Sequence, residues 1–318
     1  MTTFRWHNHD YIHYIRSQTD KHNVDNIART KAYQRFYAAF PEIKWAFLAS
    51  MVSRNAGWNM TDLWLSPFIA ILSARQRWSM FMTYERSNWL IFADAYPQLL
   101  LYQLSIDTQQ SLFHLLPAFQ VSRYMQQEWE VFWQHQDAER LMLALIINEQ
   151  NVIEHPVIKQ DYFKYRVFLR PAYFLQDFFL LNAVLLPTAS QHVYGAFVHD
   201  FTSINKRIEM GKTLASIVFH PQVYRPLLEF AQSVEHTGSR RDYERYCGIE
   251  IEAAPLLRSV YPVIAHQDKW RRDWNKRKRV QAKWLATVSL TPDPQIKKQF
   301  YNRRRLMYAY SHVKDILT

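Results

Sequence analysis

The sequence has little glycine and almost no cysteine. It contains five glycines and one cysteine, Cys247, among 318 residues. A β-sandwich or barrel uses glycine at many of its tight turns, so this composition argues against both classes. A single cysteine excludes an internal disulfide framework and is typical of a reducing compartment, so we expect a soluble, cytoplasmic protein.

The sequence also lacks an apolar run of the roughly 20 residues that a membrane-spanning helix requires. The most apolar later window, residues 173–186, is interrupted by Gln176, Asp177 and Asn182 and is followed by Pro187. We interpret this window as a buried core helix. The N-terminus does not show the basic region and apolar run of a secretory signal. The sequence therefore predicts no transmembrane segment.

Aromatic residues, in contrast, are abundant and follow a helical spacing. The chain has 11 tryptophans, 19 tyrosines and 20 phenylalanines. Among them, Tyr33, Phe36, Tyr37 and Phe40 occupy the i, i+3, i+4 and i+7 positions of one helix face. Similar spacing recurs along most of the chain, whereas the alternation typical of strands is rare. We therefore predict an all-α fold, a multi-helix bundle with a basic helical hairpin at its C-terminus.

The stretch from residue 26 to residue 64 predicts the centre of that bundle. Pro41 ends the aromatic helix. A second helix, about residues 42–54, is apolar almost all round, which is the pattern of a helix buried in a core. We expect Gly57 to end this second helix and Asn59 to cap a third one.

Polar residues around this apolar helix, and in other apolar runs, suggest a pocket at its mouth. Asp94 stands in an apolar run, where a carboxylate is either paired with an arginine or acts as a catalytic acid or base. Ser239 and Asp242 have the spacing of a capping box, at a helix N-terminus that also suits an anion. The pocket candidates are Arg29, Glu42, Arg54, Asn55, Trp58, Asn59, Asp62, Glu85, Asp94, His236, Ser239 and Arg240. Those expected to be buried and hydrogen-bonded to one another are Arg29, Glu42, Arg54, Asn55, Asp62 and Asp94.

Charge is distributed unevenly along the chain. Residues 266–318 contain 14 lysines and arginines against four acidic residues, a net charge of +10 out of the total of +11. We predict a helical bundle domain over residues 1–265 and a hairpin over residues 266–318 that packs on it. The first arm of the hairpin is expected at about residues 268–288, and prolines reverse the chain at residues 291–294.

This basic end has the composition of a surface that binds polyanions. Clustered cations neutralise phosphates and aromatic rings stack on bases, so nucleic acid fits the pattern, and an anionic membrane surface fits it as well. The favoured hypothesis is a non-enzymatic protein that binds nucleic acid or another polyanion through the hairpin. A charged face without a specific partner, and an enzyme or small-ligand receptor that uses the pocket, are the alternatives. The polyanion candidates are Trp270, Arg271, Arg272, Trp274, Lys276, Arg277, Lys278, Arg279, Lys283, Arg304 and Arg305.

Motifs for metals and nucleotides are incomplete. His9 and His13 have the i, i+4 spacing of a metal-binding pair, but no third or fourth ligand lies nearby in the sequence. Gly211-Lys212-Thr213 matches the end of a phosphate-binding loop, yet Lys206 stands where that motif requires glycine. We predict neither a metal site nor a cofactor.

Several segments together resemble a known family. In chain order they are NIARTKAYQRFY, PEIKWAFLASMVSRNAGWNMTDL, DAYPQLLLY, RIEMGKTL and HTGSRRDY. Over most of residues 26–275 the chain is similar to the YppC-like family of bacterial proteins of unknown function. This resemblance implies no activity, cofactor or catalytic residue.

Overall fold

The computed structural model is mainly helical, as the sequence predicted. It describes residues 6–163, 165, 167, 183–197, 200–249, 251–267, 271, 273–276, 279–286 and 294–317. The first seven helices described are α1 (Asn8–His22), α2 (Asn26–Ala39), α3 (Lys44–Asp62), α4 (Ser66–Ile71), α5 (Ala74–Thr108), α6 (Arg123–His135) and α7 (Ala138–Val152). The others are α8 (Asp161–Phe163), α9 (Ile204–Val218), α10 (Pro221–Ser233), α11 (Arg241–Glu244), α12 (Leu257–Val260), α13 (Ala282–Leu285) and α14 (Lys297–Leu317). Two 3-10 helices, Phe113–Phe119 and Trp274–Lys276, and a π-helical turn, Glu154–Ile158, connect some of them.

Helix α3 lies at the centre of the molecule, as predicted. It contacts α2, α5, α7, α9, α12 and a small β-sheet. Two clusters of buried apolar side chains meet along it. Leu48 and Ala49 belong to the larger cluster, and Ala56 and Met60 belong to the second. The burial of α3 on nearly every side explains why its sequence is apolar almost all round.

The predicted end of this helix at Gly57 is wrong, because α3 continues to Asp62. A Cβ at Gly57 would lie 2.3 Å from the Asn26 Oδ1 atom and 3.1 Å from the His236 ring. The glycine therefore allows α2 and the segment around His236 to approach the helix closely, and it does not terminate it. For the same reason Asn59 lies within α3 and does not cap a third helix.

The aromatic helix forms as predicted. Asp25 caps α2 by accepting a hydrogen bond from the Ala28 backbone N–H at 2.7 Å, and the helix ends at Ala39, two residues before Pro41. Its aromatic face is buried, with Tyr33, Phe36 and Tyr37 exposed by 5% or less. This face joins α2 to the core along α3.

A short antiparallel hairpin replaces part of the predicted core helix at residues 173–186. Strands β1 (Ala183–Pro187) and β2 (Val193–Phe197) pair with Leu185 opposite Gly195. Residues 173–182 lie outside the described residues. The Asn55 side chain accepts a hydrogen bond from the Leu185 N–H at 2.7 Å and donates one to the Leu185 carbonyl at 2.6 Å. The α3 amide therefore satisfies backbone groups of β1 that have no strand beside them.

The predicted basic helical hairpin does not form as two helical arms. In the described part of its first arm, residues 271, 273 and 279–281 are not helical, and only Trp274–Lys276 and α13 form short helical turns. Aromatic side chains of this segment bind the body instead. For example, the Trp284 Nε1–H donates to the Asn205 Oδ1 atom at 2.8 Å.

The second arm corresponds to α14, which packs along α4. Phe300 and Tyr301 join the larger apolar cluster, and Met307 joins the second cluster. The division into two domains at residue 265 stays a prediction. Among the described residues, no helix has both the length and the hydropathy needed to cross a bilayer.

Candidate functional site

The predicted pocket residues are mostly buried, but they belong to separate networks and do not surround one site. Arg29 forms an ion pair with Glu85, and both side chains are exposed by 5% or less. The Arg29 Nη1 atom also donates to the Asn23 Oδ1 atom at 3.2 Å. Burial alone would raise the pKa of Glu85, but the charge of Arg29 and a contact with His266 hold this pKa below its usual value. This pair therefore fixes α2 to α5.

A second network joins α3 to the C-terminal helix. Asp62 accepts a hydrogen bond from the Arg240 Nε atom at 2.6 Å and lies 3.4 Å from the Arg304 Nη1 atom. Arg240 also donates to the Asn59 Oδ1 atom at 2.7 Å. Arg304 is 1% exposed and lies 3.7 Å from Glu244. Arg304 is thus an internal ion-pair partner and cannot bind a polyanion at the surface as predicted.

A third network surrounds His236. Its Nε2 atom lies 2.8 Å from the Asn26 Oδ1 atom and its Nδ1 atom lies 3.3 Å from the Asp242 Oδ2 atom. The Trp58 Nε1–H donates to the same carboxylate at 3.1 Å. Burial lowers the pKa of His236 to about 4, so the ring is neutral near pH 7.

The capping box expected at Ser239 and Asp242 is absent. The Ser239 hydroxyl donates to the Ala254 carbonyl at 2.7 Å, and Asp242 accepts from the Thr237 N–H at 3.1 Å. The Asp242 carboxylate therefore binds the loop before the helix, together with His236 and Trp58, and it does not leave an open anion site.

Asp94 is paired with an arginine. This is the structural role considered for it, as opposed to that of a catalytic acid or base. Its carboxylate accepts from Gln98 at 2.8 Å and Asn148 at 2.7 Å, and its Oδ1 atom lies 3.2 Å from the Arg271 Nη1 atom. Trp274 donates to the Asn148 Oδ1 atom at 2.9 Å. Two of the polyanion candidates, Arg271 and Trp274, are therefore engaged with the body.

Glu42 and Arg54 lie apart from these networks. Glu42 is half-buried and accepts a hydrogen bond from the Tyr102 hydroxyl at 2.7 Å. Arg54 donates to the Val234 carbonyl and stacks over the Phe230 ring at 5.1 Å. Burial lowers the pKa of Arg54 to about 10. The expectation that these six residues are hydrogen-bonded to one another is therefore wrong. Five of them are buried and Glu42 is half-buried, but their partners come from many different segments.

Some of the polyanion candidates remain exposed. These are Lys276, Arg279, Lys283 and Arg305. Trp270, Arg272, Arg277 and Lys278 lie outside the described residues.

A cavity of about 200 Å³ lies beside α3, where the two apolar clusters meet. We call it the α3 cavity. Ala49, Val52 and Ala56 lie on its α3 wall, and residues of α2, α5, α7, α9 and β1, together with Ile153, Val167 and Phe201, complete it. Of the predicted pocket residues, Arg29, Asn55 and Asn59 line it. The other nine predicted pocket residues do not line it.

Two residues that the sequence analysis missed give this cavity a polar end. Glu149, half-buried at the end of α7, accepts hydrogen bonds from the Trp45 Nε1–H at 3.1 Å and the Gln150 Nε2–H at 3.0 Å. Burial raises the pKa of Glu149 to about 7. Tyr33 is 3% exposed, and its hydroxyl has no hydrogen-bond partner among the described residues. Glu149 follows an almost entirely apolar run, residues 141–147, and this was the available signal.

The described residues contain no group of three or more histidine, cysteine, aspartate and glutamate side chains placed to hold a metal ion.

Comparisons with known proteins agree with the resemblance seen in the sequence. The family model described as "Protein of unknown function (DUF2515)" matches residues 21–305. The chain is also 43% identical, over 304 residues, to the uncharacterized protein YppC of Bacillus subtilis (strain 168), and the alignment covers 95% of each chain. No solved structure matches the chain.

Proposed function

The chain belongs to the DUF2515 family of proteins of unknown function, and we propose from its geometry that it binds a small, largely apolar molecule in the α3 cavity. The size and position of this cavity carry the proposal. It has a volume of about 200 Å³ and lies beside α3, of whose 19 residues 16 are buried. A receptor for a small ligand was one of the alternatives left open by the sequence.

The position of the cavity supports a ligand. Protein interiors are close-packed and contain few spaces larger than a water molecule. Ligand sites are concave and mostly apolar, with a few polar groups, and a space of about 200 Å³ beside a core helix fits this description.

The proposal can be tested with toluene, because an apolar cavity of about 150 Å³ holds benzene. We expect toluene to raise the thermal unfolding temperature of the protein, since a ligand that binds only the folded state stabilises it. The variant Ala49→Phe fills the cavity with its own ring and should lose this response. Ile69→Phe, which adds the same ring at a position that is 49% exposed on α4, is the matched control and should keep it. An equal response of Ala49→Phe and the control would refute binding in the α3 cavity.

We propose, as a second function, that the basic C-terminal segment binds nucleic acid. The net charge of +10 over residues 266–318 and the exposure of several cations support it. Each neutralised phosphate should contribute about 0.9 to the slope of log K against log salt concentration. We therefore expect this slope to flatten when glutamine replaces the four exposed cations Lys276, Arg279, Lys283 and Arg305.

The control for that experiment is a variant in which four exposed cations outside the C-terminal segment are replaced by glutamine. These are Lys21, Arg75, Lys206 and Arg245. This control variant should keep the salt dependence of the unmodified protein. Salt-dependent binding to anionic vesicles without binding to nucleic acid would assign the segment to a membrane surface. A cytoplasmic location forms part of this proposal, because the single cysteine suits a reducing compartment.

A further inference from the structure

We infer that the ligand of the α3 cavity is an organic amine, whose ammonium group binds the Glu149 carboxylate while its apolar body fills the cavity. This inference rests on the proposed ligand-binding function. It follows from the charges that border the cavity, from the free acceptor positions at its polar end, and from its size.

Glu149 is the charged group of the cavity that lacks a counter-ion. Its two carboxylate oxygens accept one hydrogen bond each, from the neutral donors Trp45 and Gln150. No lysine or arginine in the described part of the chain forms an ion pair with it. A carboxylate has about four acceptor positions, so each oxygen keeps one position free for a ligand. Removing a charge from water is costly unless it is paired, and an ammonium group would pair with this half-buried carboxylate.

The cations at the cavity wall already have carboxylate partners. Arg29 is paired with Glu85, and Arg207 is paired with Glu154. Glu154 also pairs with the exposed Lys159. Neither arginine forms an ion pair with Glu149, whose charge a cationic ligand would neutralise and an anionic ligand would repel.

Side chains around Glu149 hold its carboxylate in place. Gln150 accepts a hydrogen bond from the Arg207 Nε atom at 3.1 Å, and this contact directs its amide N–H groups toward Glu149. The Trp45 ring packs edge-on against Tyr33, with centroids 5.4 Å apart, while its Nε1–H donates to Glu149. The acceptor is therefore fixed before a ligand arrives, which limits the entropic cost of binding.

Aromatic rings on the cavity wall give a second indication of a cationic ligand. Tyr33, Tyr84 and Phe201 line the cavity. The face of an aromatic ring attracts a cation, so these rings favour an ammonium group.

The volume limits the size of the amine. Because an apolar cavity of about 150 Å³ accommodates benzene, about 200 Å³ accommodates one ring with a short aminoalkyl chain. The probe we choose is 2-phenylethylamine, and 2-phenylethanol is its neutral counterpart of the same size. Comparing the two separates recognition of the ammonium group from occupation of the cavity.

The experiment measures the dissociation constants of both probes by isothermal titration calorimetry. We expect the unmodified protein to bind the amine at least tenfold more tightly than the alcohol. Glu149→Gln keeps an oxygen that accepts from Trp45 but has no charge, and it should bind both probes about equally. Glu139→Gln alters an exposed glutamate of the same helix and should retain the full preference.

Two results would overturn the inference, and they differ in what they say about the cavity. Equal binding of amine and alcohol by the unmodified protein would show a cavity receptor that does not recognise amines. Failure of both probes to bind, together with failure of toluene, would refute the α3 cavity as a binding site.

Discussion

Glu149 is a carboxylate held in an apolar environment with neutral partners only. Trp45 and Gln150 stabilise its ionised form through hydrogen bonds, but burial outweighs them and raises its pKa to about 7. An unfolded glutamate titrates near 4.5. The folded chain therefore binds a proton between about pH 4.5 and pH 7 that the unfolded chain has released. Because the folded state binds more protons in this window, Glu149 makes stability fall as pH rises.

Replacing this residue should change the pH dependence of stability in a defined direction. The free energy of unfolding of Glu149→Gln, relative to that of the unmodified protein, should rise by up to about 3 kcal/mol between pH 4.5 and pH 7.5, since one pKa unit corresponds to about 1.4 kcal/mol. Urea denaturation at several pH values measures it. His236 contributes a slope of opposite sign, because its pKa is lowered to about 4, but it is present in both proteins and cancels in the difference. Parallel pH profiles for the two proteins would contradict this assignment.

Helix α3 has two different environments within a single turn. Ala46 is fully buried in the larger apolar cluster, whereas Ala49 borders the α3 cavity. The same added side chain therefore meets packed atoms at one position and open space at the other. This contrast tests whether the cavity is a true void in the packing.

We expect Ala46→Leu to lower the free energy of unfolding by about 1–3 kcal/mol, because overpacking forces neighbouring side chains to move. Ala49→Leu should change it by less than about 1 kcal/mol or increase it, since the new methyl groups occupy the cavity. Urea denaturation of both variants makes the comparison. If the two substitutions are equally destabilising, the space beside Ala49 is not available.

At this scale the sequence predicted the helical stretches but not all of their limits. The apolar residues of α3 and the aromatic face of α2 follow a local periodicity, so both helices and their burial were predictable. The passage of α3 through Gly57 was not, because the reason lies in Asn26 and His236, which pack against the glycine from distant parts of the chain. The strand Ala183–Pro187 was missed because a short apolar run has no periodicity that separates strand from helix.

At the scale of the whole molecule, the basic C-terminal segment is partly built into the protein. Arg304 reaches Asp62 on α3 and Glu244 on α11, while its neighbour Arg305 is exposed. Arg271 reaches Asp94 on α5. The sequence showed the excess of positive charge but not which cations point inward, since that depends on carboxylates brought near by folding. Likewise, Glu149 on α7 and Tyr33 on α2 line the same cavity because both helices pack against α3.

The adjacent residues Arg304 and Arg305 provide a matched pair. Arg304→Ala leaves buried carboxylates with one cation fewer and should lower the free energy of unfolding by about 3 kcal/mol. Arg305→Ala should change it by no more than about 0.5 kcal/mol, as for most surface positions. Denaturant midpoints of the two variants decide between these roles. Similar small effects would mean that the ion pairs of Arg304 do not hold α14 to the body.

The proposed binding of a small molecule in the α3 cavity is tested most directly by NMR contacts between toluene and the protein. We expect intermolecular nuclear Overhauser effects from toluene to the methyl groups of Ala49, Val52 and Leu214, which line the cavity. These signals should disappear in Ala49→Phe and persist in Ile69→Phe. Contacts to other methyl groups, or no contacts at saturating toluene, would contradict the proposal.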